Sequence, residues 1–356
     1  MISNVVVEGA IIDGYCKCGS MNYAESLARR SSNVNSFISA SMILGFSARG
    51  ETSKCRGIFD SLEKKEKNVV VWTAMLTCFA KSQEYSSLFK YFARFVAEGQ
   101  SPPDPPILLI LLAACSSLAD LRFGKQIHGY VARFQICDSK VSSAMIDMYF
   151  KSGAPAPARA LFSSVTDRDL VLYNIMISCY AHHGFADEAM DLFGEILKKN
   201  MAPDEVTFVA ILSVCRHRGW IELGEKQFKS MSEIYGVEPQ SNHYACVIDM
   251  YGRAKRLGEA AELMERMPVE KRDGAVLGAL LNACRLSGNS EVARCVEEMV
   301  VEAEEAKGSR YVLAANIYAA EGNWLEMIRV RKEMKEKRAN KSTGCSWVVV
   351  DRTVHL

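Results

Sequence analysis

Apolar side chains recur at helical spacing along the chain, and residues 171–204, VLYNIMISCYAHHGFADEAMDLFGEILKKNMAPD, show this pattern most clearly. A first stripe at i, i+3, i+4 and i+7 consists of Tyr173, Met176, Ile177 and Tyr180. A second stripe consists of Ala189, Leu192, Phe193 and Ile196. Gly184 separates the stripes because glycine accepts the left-handed conformation of a helix end, and Pro203 cannot continue the second helix. The segment is predicted to form a helical hairpin.

The same hairpin pattern repeats along the chain. Segments equivalent to MISCY are IIDGY, MILGF, MLTCF, LLAAC, MIDMY, ILSVC, VIDMY, LLNAC and ANIYA. Their equivalent aromatic or cysteine residues, 31 to 36 residues apart, are Tyr15, Phe46, Phe79, Cys115, Tyr149, Tyr180, Cys215, Tyr251, Cys284 and Tyr318. One hairpin cannot bury both of its stripes, so each relies on its neighbours in a stack. The predicted fold is all-α, an α-solenoid of helix-turn-helix repeats.

Two families of helical repeats share this period. The tetratricopeptide pattern places a glycine after the leucine of the first helix. No glycine stands at that place, which is occupied by Ile12, Ile43, Leu76, Leu112, Ile146, Ile177, Leu212, Ile248 and Leu281. The repeats instead carry VLYNIMISCY, VVWTAMLTCF and a closing APDEVTF. In these motifs nearly the whole chain resembles the pentatricopeptide repeat family, and the resemblance implies a right-handed superhelix that binds single-stranded RNA.

The order of repeat lengths also resembles that of the family. Repeats starting at Pro105 and Glu205 look like the family's long variant, those starting at Val5, Ser36, Ser139 and Ser241 like its short variant, and those starting at Val69 and Leu170 like its standard form. The segments GALLNACRLSGN, YVLAANIYAAEGNW and GCSW are similar to the C-terminal E domain of the plant organellar branch. This resemblance implies C-to-U RNA editing in mitochondria, with chloroplasts as the alternative.

The resemblance also divides the chain into three parts. It implies a repeat tract at residues 1–273, two repeat-like E motifs at 274–341, and the start of a truncated E-plus-like tail at 342–356. Within the tail, CSWVVVDRTVHL alternates weakly between apolar and polar residues. The alternation indicates a short strand that would pair with a continuation of the chain.

Members of the family read one base per repeat. The fifth residue of the first helix and the last residue of the repeat face the base, and the second residue wedges between neighbouring bases. Carried over position by position, the resemblance implies RNA contacts by Val70, Thr73 and Asp104, by Lys140, Ser143 and Asp169, and by Val171, Asn174 and Asp204. The last residues Asn35, Asn68 and Asp273 close repeats with Gly9, Ala40 or Ala245 in fifth position, which should read weakly.

Side-chain chemistry sets the expected bases. A short Ser or Thr leaves room for a purine, the longer Asn suits a pyrimidine, and a final Asp favours guanine and uracil because it accepts from a ring N–H. The repeats starting at Val69, Pro105, Ser139 and Leu170 are therefore predicted to read G, any base, G and U. Another interpretation stays open, since Asn, Ser or Thr near a helix start, and Asp before the next helix, also act as caps.

Composition and charge are ordinary for a globular chain. A net charge of +1 and an apolar content of 49% over 356 residues indicate neither disorder nor a membrane protein, and the longest apolar run, Ile107–Cys115, is too short to span a bilayer. The 12 cysteines are predicted to be reduced core residues of an intracellular protein. Only residues 329–341 are visibly basic, and their interspersed glutamates favour a solvated helix face over an RNA clamp. No leader opens the chain, which indicates a cytosolic protein or a fragment.

No deaminase signature is present in the sequence. A nucleobase deaminase needs His-x-Glu and Pro-Cys-x-x-Cys to hold zinc and move protons. No histidine here has glutamate two residues later, and no Cys-x-x-Cys occurs. We therefore expect no catalysis, metal or cofactor. Related proteins continue past GCSW into a DYW-type deaminase domain, whereas this chain ends at Leu356, so we expect that deaminase, or other editing factors, to act in trans on single-stranded organellar RNA, away from any membrane.

Two other functions stay open. A protein-interaction scaffold would hold a peptide on its concave surface, as tetratricopeptide arrays do. A degenerate fragment would have no activity. Fifth-position Asn, Thr and Ser combined in register with final Asp favour RNA, because a scaffold has no reason to keep those pairs.

Overall fold

The computed structural model describes residues 5–31, 35–99, 102–287, 308–320, 322–336, 348–350 and 353–355. Within these ranges the chain folds into successive helical hairpins and ends in one short β-hairpin, so the predicted all-α repeat fold is confirmed. The chain divides into two compact units, Met1–Asp167 and Arg168–Leu356, which are built in the same way. No helix in the described ranges combines the length and the apolar character needed to cross a membrane.

The first unit consists, in its described part, of five hairpins. Its helices are α1 (Val5–Lys17), α2 (Met21–Arg30), α3 (Ser36–Ala48), α4 (Thr52–Ser61), α5 (Val69–Lys81), α6 (Tyr85–Ala97), α7 (Pro105–Leu118), α8 (Leu121–Arg133), α9 (Ser139–Lys151) and α10 (Pro155–Ser164). The odd-numbered helix of each hairpin packs against the odd-numbered helix of the next, and the even-numbered helix packs between them. We call the odd-numbered helices of both units, α1 to α17, the first helices.

The second unit continues the pattern. Its elements are α11 (Leu170–His183), α12 (Ala186–Lys198), α13 (Glu205–Arg218), α14 (Ile221–Glu233), α15 (Ser241–Arg253), α16 (Leu257–Arg266), a 3-10 turn (Val269–Lys271), α17 (Gly274–Ser287), α18 (Gly308–Ala320), α19 (Trp324–Glu336), β1 (Val348–Val350) and β2 (Thr353–His355). The eight helices that open the predicted repeats begin at the predicted starting residues, from Val5 in α1 to Ser241 in α15.

Burial differs between the two helices of a hairpin. The α13 helix packs against α11, α12, α14 and α15, and it buries every residue from Ala210 to Cys215. The α12 helix buries the predicted stripe of Ala189, Leu192, Phe193 and Ile196 together with Ala186. The two stripes predicted for α11 and α12 are therefore confirmed, and α11 ends as predicted at Gly184, whose φ is +78°. First helices form the core of each unit because neighbours cover them on several sides.

The C-terminal strands differ from the prediction in their pairing. Val348–Val350 pairs antiparallel with Thr353–His355, with Val349 opposite Val354. The short strand that the sequence indicated thus finds its partner within the chain itself, because the backbone groups of a strand need a partner and a hairpin supplies one locally. Residues 337–347 of this part, and the sequence boundary at 342, lie outside the described residues.

The α15 and α17 helices of the second unit approach each other closely at Gly252. A Cβ atom built on Gly252 would lie 2.5 Å from the Cβ of Ala283 and 2.7 Å from its Cα. Gly252 is buried, and its missing side chain lets the two backbones meet. In α12, by contrast, a Cβ atom built on Gly194 would meet nothing within 4 Å.

We therefore expect opposite effects from two glycine substitutions. Gly252→Ala should lower the free energy of unfolding by about 1–3 kcal/mol because its methyl group overpacks the α15–α17 contact. Gly194→Ala should raise it by about 0.5–1 kcal/mol because alanine is the better helix former. Chemical denaturation of both variants tests this difference, and a loss of similar size in both would contradict it.

Candidate nucleic-acid interface

The second residues of several first helices are apolar yet exposed. In the first unit Val70 is 55% exposed, and Val6 and Phe37 are exposed at the same repeat position. In the second unit Val171 is 59% exposed, and Val206 is exposed likewise. Single exposed apolar residues are common on protein surfaces. Exposed apolar residues that recur at the same repeat position instead indicate a surface with a function. The resemblance implied roles for Val70 and Val171 only, although Val6, Phe37 and Val206 share their position in the repeat.

The fifth residues of the first unit turn toward their own helices or the core. Thr73 is half-buried, and its hydroxyl donates to the carbonyl oxygen of Val69 at 2.8 Å. Among the described residues, no hydrogen bond joins Thr73 to Asp104, its predicted partner. Ser143 is buried in α9, and its predicted partner Asp169 lies in the second unit. In the described ranges, Thr73 and Asp104 therefore lack the direct contact seen in the repeat that starts at Leu170.

Asn174 and Asp204, the fifth and last residues of one repeat, are in direct contact. The amide Nδ2 of Asn174 donates to Oδ1 of Asp204 at 3.0 Å. The amide oxygen of Asn174 lies 2.8 Å from the hydroxyl of Thr207, the third residue of the next repeat. Asn174 is only 3% exposed and Thr207 is fully buried. Both polar ends of the Asn174 amide are thus hydrogen-bonded within the protein.

Every last-position Asp or Asn in the described repeats caps the next first helix. A side-chain oxygen accepts from the backbone N–H three residues later, at 2.8–3.2 Å, in Asn35, Asn68, Asp104, Asp138, Asp169 and Asp204. Asp273 caps α17 by accepting from the N–H groups of Ala275 and Val276 at 2.8 and 3.2 Å. Capping, the alternative drawn from the sequence, is thus present at all these positions.

Capping leaves part of each aspartate open to a ligand. In Asp104, Asp169 and Asp204 the capping bond uses Oδ1. Within the described part of the chain, Oδ2 of these three residues accepts no hydrogen bond. A carboxylate has two oxygens and about four lone-pair sites, so one side chain can cap a helix and accept from a base. The two interpretations of the sequence are therefore compatible.

A groove on α13, α15 and α17 carries charge that sequence analysis missed. It has a volume of about 470 Å³ and includes Ala245, the fifth residue of its repeat. Beside it, the Asp249 carboxylate accepts from Arg253 Nε at 2.8 Å and from Asn282 Nδ2 at 2.9 Å, and Arg216 Nη1 lies 3.6 Å away. Two arginines face one aspartate, so this face keeps a net positive charge next to a fifth position that has no polar group.

The basic segment near the C-terminus is organised differently. In α19, Arg329 pairs with Glu326 at 2.7 Å and with Glu333 at 3.6 Å, and Lys332 pairs with Glu336 at 3.8 Å. Such pairs one helix turn apart are typical of a solvated face and contribute little stability. Residues 337–341 of this segment lie outside the described ranges.

The described cysteines behave as core residues. Eight of the ten are buried, and burial raises the pKa of the Cys115 thiol to about 12 and that of Cys215 to about 11. Thiols with such pKa values are inert at neutral pH. In the part of the chain that the structure describes, no three His, Cys, Asp or Glu side chains are arranged to hold a metal ion.

His243, at the third position of its repeat, links two first helices. It is buried at the start of α15, where its Nδ1 accepts from the backbone N–H of Gln240 at 3.0 Å. Its Nε2 donates to the carbonyl oxygen of Glu205, in α13, at 2.8 Å. Burial lowers the pKa of His243, against the smaller raising effect of the backbone contacts at Glu205 and Gln240. These two bonds hold a neutral ring with its proton on Nε2.

Family models match several parts of the chain. The model described as the E motif matches residues 288–349. The model of the PPR repeat family matches residues 168–217, and a PPR repeat model matches residues 9–30 and 243–271.

Three relatives from Arabidopsis thaliana match almost the whole chain. A putative pentatricopeptide repeat-containing protein is 42% identical over 355 residues, which are 99% of this chain and 52% of that protein. A pentatricopeptide repeat-containing protein named as mitochondrial is 35% identical over 331 residues, 93% of this chain and 59% of that protein. The protein CRR2, named as chloroplastic, is 35% identical over 332 residues, 92% of this chain and 50% of CRR2. The chain thus spans little more than half the length of these relatives.

A solved structure shares the fold. The crystal structure of the pentatricopeptide repeat protein PPR10 from maize superposes with a TM-score of 0.52 at 16% sequence identity. The match covers 95% of this chain and 59% of the maize chain. At this identity the likeness concerns the helical-repeat architecture alone.

From the burial of His243 we expect the free energy of unfolding to decrease in acid. The unfolded chain takes up this proton near pH 6.5, whereas the folded chain does so only at lower pH. The free energy of unfolding should therefore be fully retained above pH 6.5 and fall below it, by at most about 1.4 kcal/mol per pH unit. His243→Asn should show a shallower fall between pH 7 and 5 in denaturant titrations. Identical pH slopes for the variant and the wild type would contradict the assignment.

Proposed function

Since this chain belongs to the pentatricopeptide repeat family and carries its E motif, we propose that it is a sequence-specific adaptor that binds single-stranded RNA. In this role it marks a cytidine in an organellar transcript for C-to-U editing by a deaminase that a partner supplies. The observation that carries the proposal is the contact between Asn174 and Asp204, the fifth and last residues of one repeat. These are the two positions from which a base would be read.

The geometry of this repeat suits base recognition. Asp204 keeps Oδ2 as an acceptor beside the Asn174 amide, and the exposed Val171 offers an apolar surface against which a base can pack. Uracil presents a ring N–H to the carboxylate, whereas cytosine presents a ring nitrogen without a proton. Asp204 should therefore favour uracil, by a discrimination of about 1 kcal/mol, which is about fivefold in binding.

The remaining repeats differ in their fifth and last residues. Thr73 with Asp104, and Ser143 with Asp169, are proposed to read G, while the repeat that starts at Pro105 has the apolar Leu109 in fifth position and should accept any base. Repeats with Gly9, Ala40 or Ala245 in fifth position contribute surface rather than specificity, even though Asn35, Asn68 and Asp273 cap the helices that follow them.

Organelle and catalyst are part of the proposal. Relatives are named as mitochondrial and as chloroplastic, and we place this protein in the mitochondrion with the chloroplast as the alternative. None of its histidines is followed two residues later by glutamate, so the zinc chemistry of deamination is assigned to a DYW-type partner. The competing function, a peptide-binding scaffold, would use the exposed Val6, Phe37 and Val70 as apolar contacts.

Replacing the Asp204 carboxylate should change the base preference of the Leu170 repeat alone. Asp204→Asn keeps a helix cap, because Asn and Asp cap equally well, but it places an amide N–H where the carboxylate was. The variant should lose the preference for uracil opposite the Leu170 repeat and shift toward cytosine. The measurement is binding of four RNAs that differ only at that base, by wild type and variant.

A matched control distinguishes base recognition by Asp204 from its role as a helix cap. Asp138→Asn alters the cap of α9 in the same way, at the end of the repeat that should accept any base. It should leave all four affinities unchanged. If wild type and Asp204→Asn bind the four RNAs equally, Asn174 and Asp204 are capping residues alone and the scaffold becomes the better account.

The purified chain should not deaminate cytidine. A deaminase needs a zinc-bound water and a glutamate that moves protons, and the sequence has no motif for either. Incubation with a cytidine-containing RNA that the protein binds, followed by sequencing, should show no conversion until a DYW-type deaminase is added. Conversion by the chain alone, with contaminating deaminase removed, would refute the assignment.

A further inference from the structure

The third residue of the repeats is apolar in most of the first helices. It is Val7, Ile38, Val71, Ile107, Val141 and Leu172 in the first six repeats, and Thr207 and His243 in the next two. Thr207 is fully buried. A buried hydroxyl needs hydrogen-bond partners, because its desolvation is otherwise uncompensated. The partners of Thr207 lie in the base-reading pair of the preceding repeat.

Thr207 and Asp204 form a reciprocal capping box. The backbone N–H of Thr207 donates to Asp204 Oδ1 at 2.8 Å, and the backbone N–H of Asp204 donates to the Thr207 hydroxyl at 3.2 Å. The hydroxyl oxygen also lies 2.8 Å from Asp204 Oδ1 and 2.8 Å from Asn174 Oδ1. It thus touches both members of the pair.

The single hydroxyl proton is assigned by counting donors. Asp204 Oδ1 already accepts from the Thr207 backbone and from Asn174 Nδ2. In the described part of the chain, Asn174 Oδ1 has no donor other than the Thr207 hydroxyl. The proton therefore belongs on the bond to Asn174. The carboxylate accepts only, so it holds the NH₂ end of the amide, and the hydroxyl holds the oxygen end.

We propose that Thr207 is a positioning residue on which the base specificity of the preceding repeat depends, although Thr207 itself does not contact the base. This inference rests on the proposed function. Asn174 and Asp204 contact the base, and Thr207 fixes the plane of the Asn174 amide so that its second N–H and second lone pair keep one direction. Discrimination between bases needs such fixed donors and acceptors.

Removing the hydroxyl should release the amide. In Thr207→Val the side chain keeps its shape, but Asn174 Oδ1 loses its donor and the amide can rotate away from Asp204. In different orientations the amide presents different groups to the base. The repeat should therefore lose its preference for one base. The repeat that starts at Val69 provides the comparison, because Ile107 stands at the equivalent third position and no hydroxyl locks Thr73.

The test uses the full chain and two pairs of RNAs. One pair carries U or C opposite the Leu170 repeat, and the other carries G or A opposite the Val69 repeat. Wild type should prefer U over C about fivefold. Thr207→Val should bring the U/C ratio to less than twofold and leave the G/A ratio unchanged. Thr207→Ser, which restores the hydroxyl, should restore the U/C ratio, and Ile107→Val should alter neither ratio.

The outcomes distinguish the positioning role of Thr207 from the proposed function. If wild type prefers U but Thr207→Val keeps the fivefold ratio, the positioning role is wrong while the proposed function stands. Equal losses in Thr207→Val and Thr207→Ser, or a G/A ratio that falls in parallel, would trace the effect to packing and overturn the role as well. Wild type that binds RNA without preference at either position would remove the proposed function and this inference with it.

Discussion

The N-cap that an Asp or Asn at the end of one repeat supplies to the next first helix is the interaction on which the rest of the structure depends. The first turn of a helix has backbone N–H groups without helical partners, and in seven of the described first helices, all except α1 and α15, the residue that closes the preceding repeat supplies an acceptor. Asp204 does so for α13 and Asp169 does so for α11. Such a cap contributes about 1 kcal/mol, but its main effect is on register. It fixes which residue is first in the helix, and so which residues are second, third and fifth.

The register of the first helices places the capping residue Asp204 beside the fifth residue of its repeat. Because the last residue of one hairpin lies at the start of the next first helix, Asp204 meets the fifth residue of its own repeat, Asn174, at 3.0 Å. The second residue, Val171, points to solvent. The capping bond occupies one carboxylate oxygen, so the same side chain serves helix formation and keeps an acceptor for a ligand. Burial of Asn174 is tolerated because Asp204 and Thr207 satisfy its amide.

Local signals explain why much of this was predictable from sequence. A cap residue followed by an apolar stripe marks a helix start within a few residues, and all eight predicted repeat helices begin where their pattern placed them, including α11 at Leu170 and α13 at Glu205. The assignment of Asn174 and Asp204 to one base followed from the family resemblance, and the hydrogen bond between them is a finding of the structure. The resemblance placed Val171 at the second position of its repeat, and the structure shows that this side chain is exposed.

Contacts that depend on packing were not predictable. Thr207 stands where most repeats have an apolar residue, and only the structure shows its hydroxyl between Asn174 and Asp204. The hydroxyl of Thr73 bonds its own helix rather than Asp104, because the carbonyl of Val69 is one turn away. Likewise, the contact of Arg216 with Asp249 joins successive repeats and has no signature in sequence.

Selection of bound RNA from a random pool tests the central claim, that repeats in this register read bases, most directly. The account predicts enrichment of G, any base, G and U at four adjacent positions in the 5′ to 3′ direction, opposite the repeats that start at Val69, Pro105, Ser139 and Leu170. Its strongest preference should fall on the U opposite the fixed pair of Asn174 and Asp204. A pool that is retained by the protein but returns without any preferred sequence would contradict it.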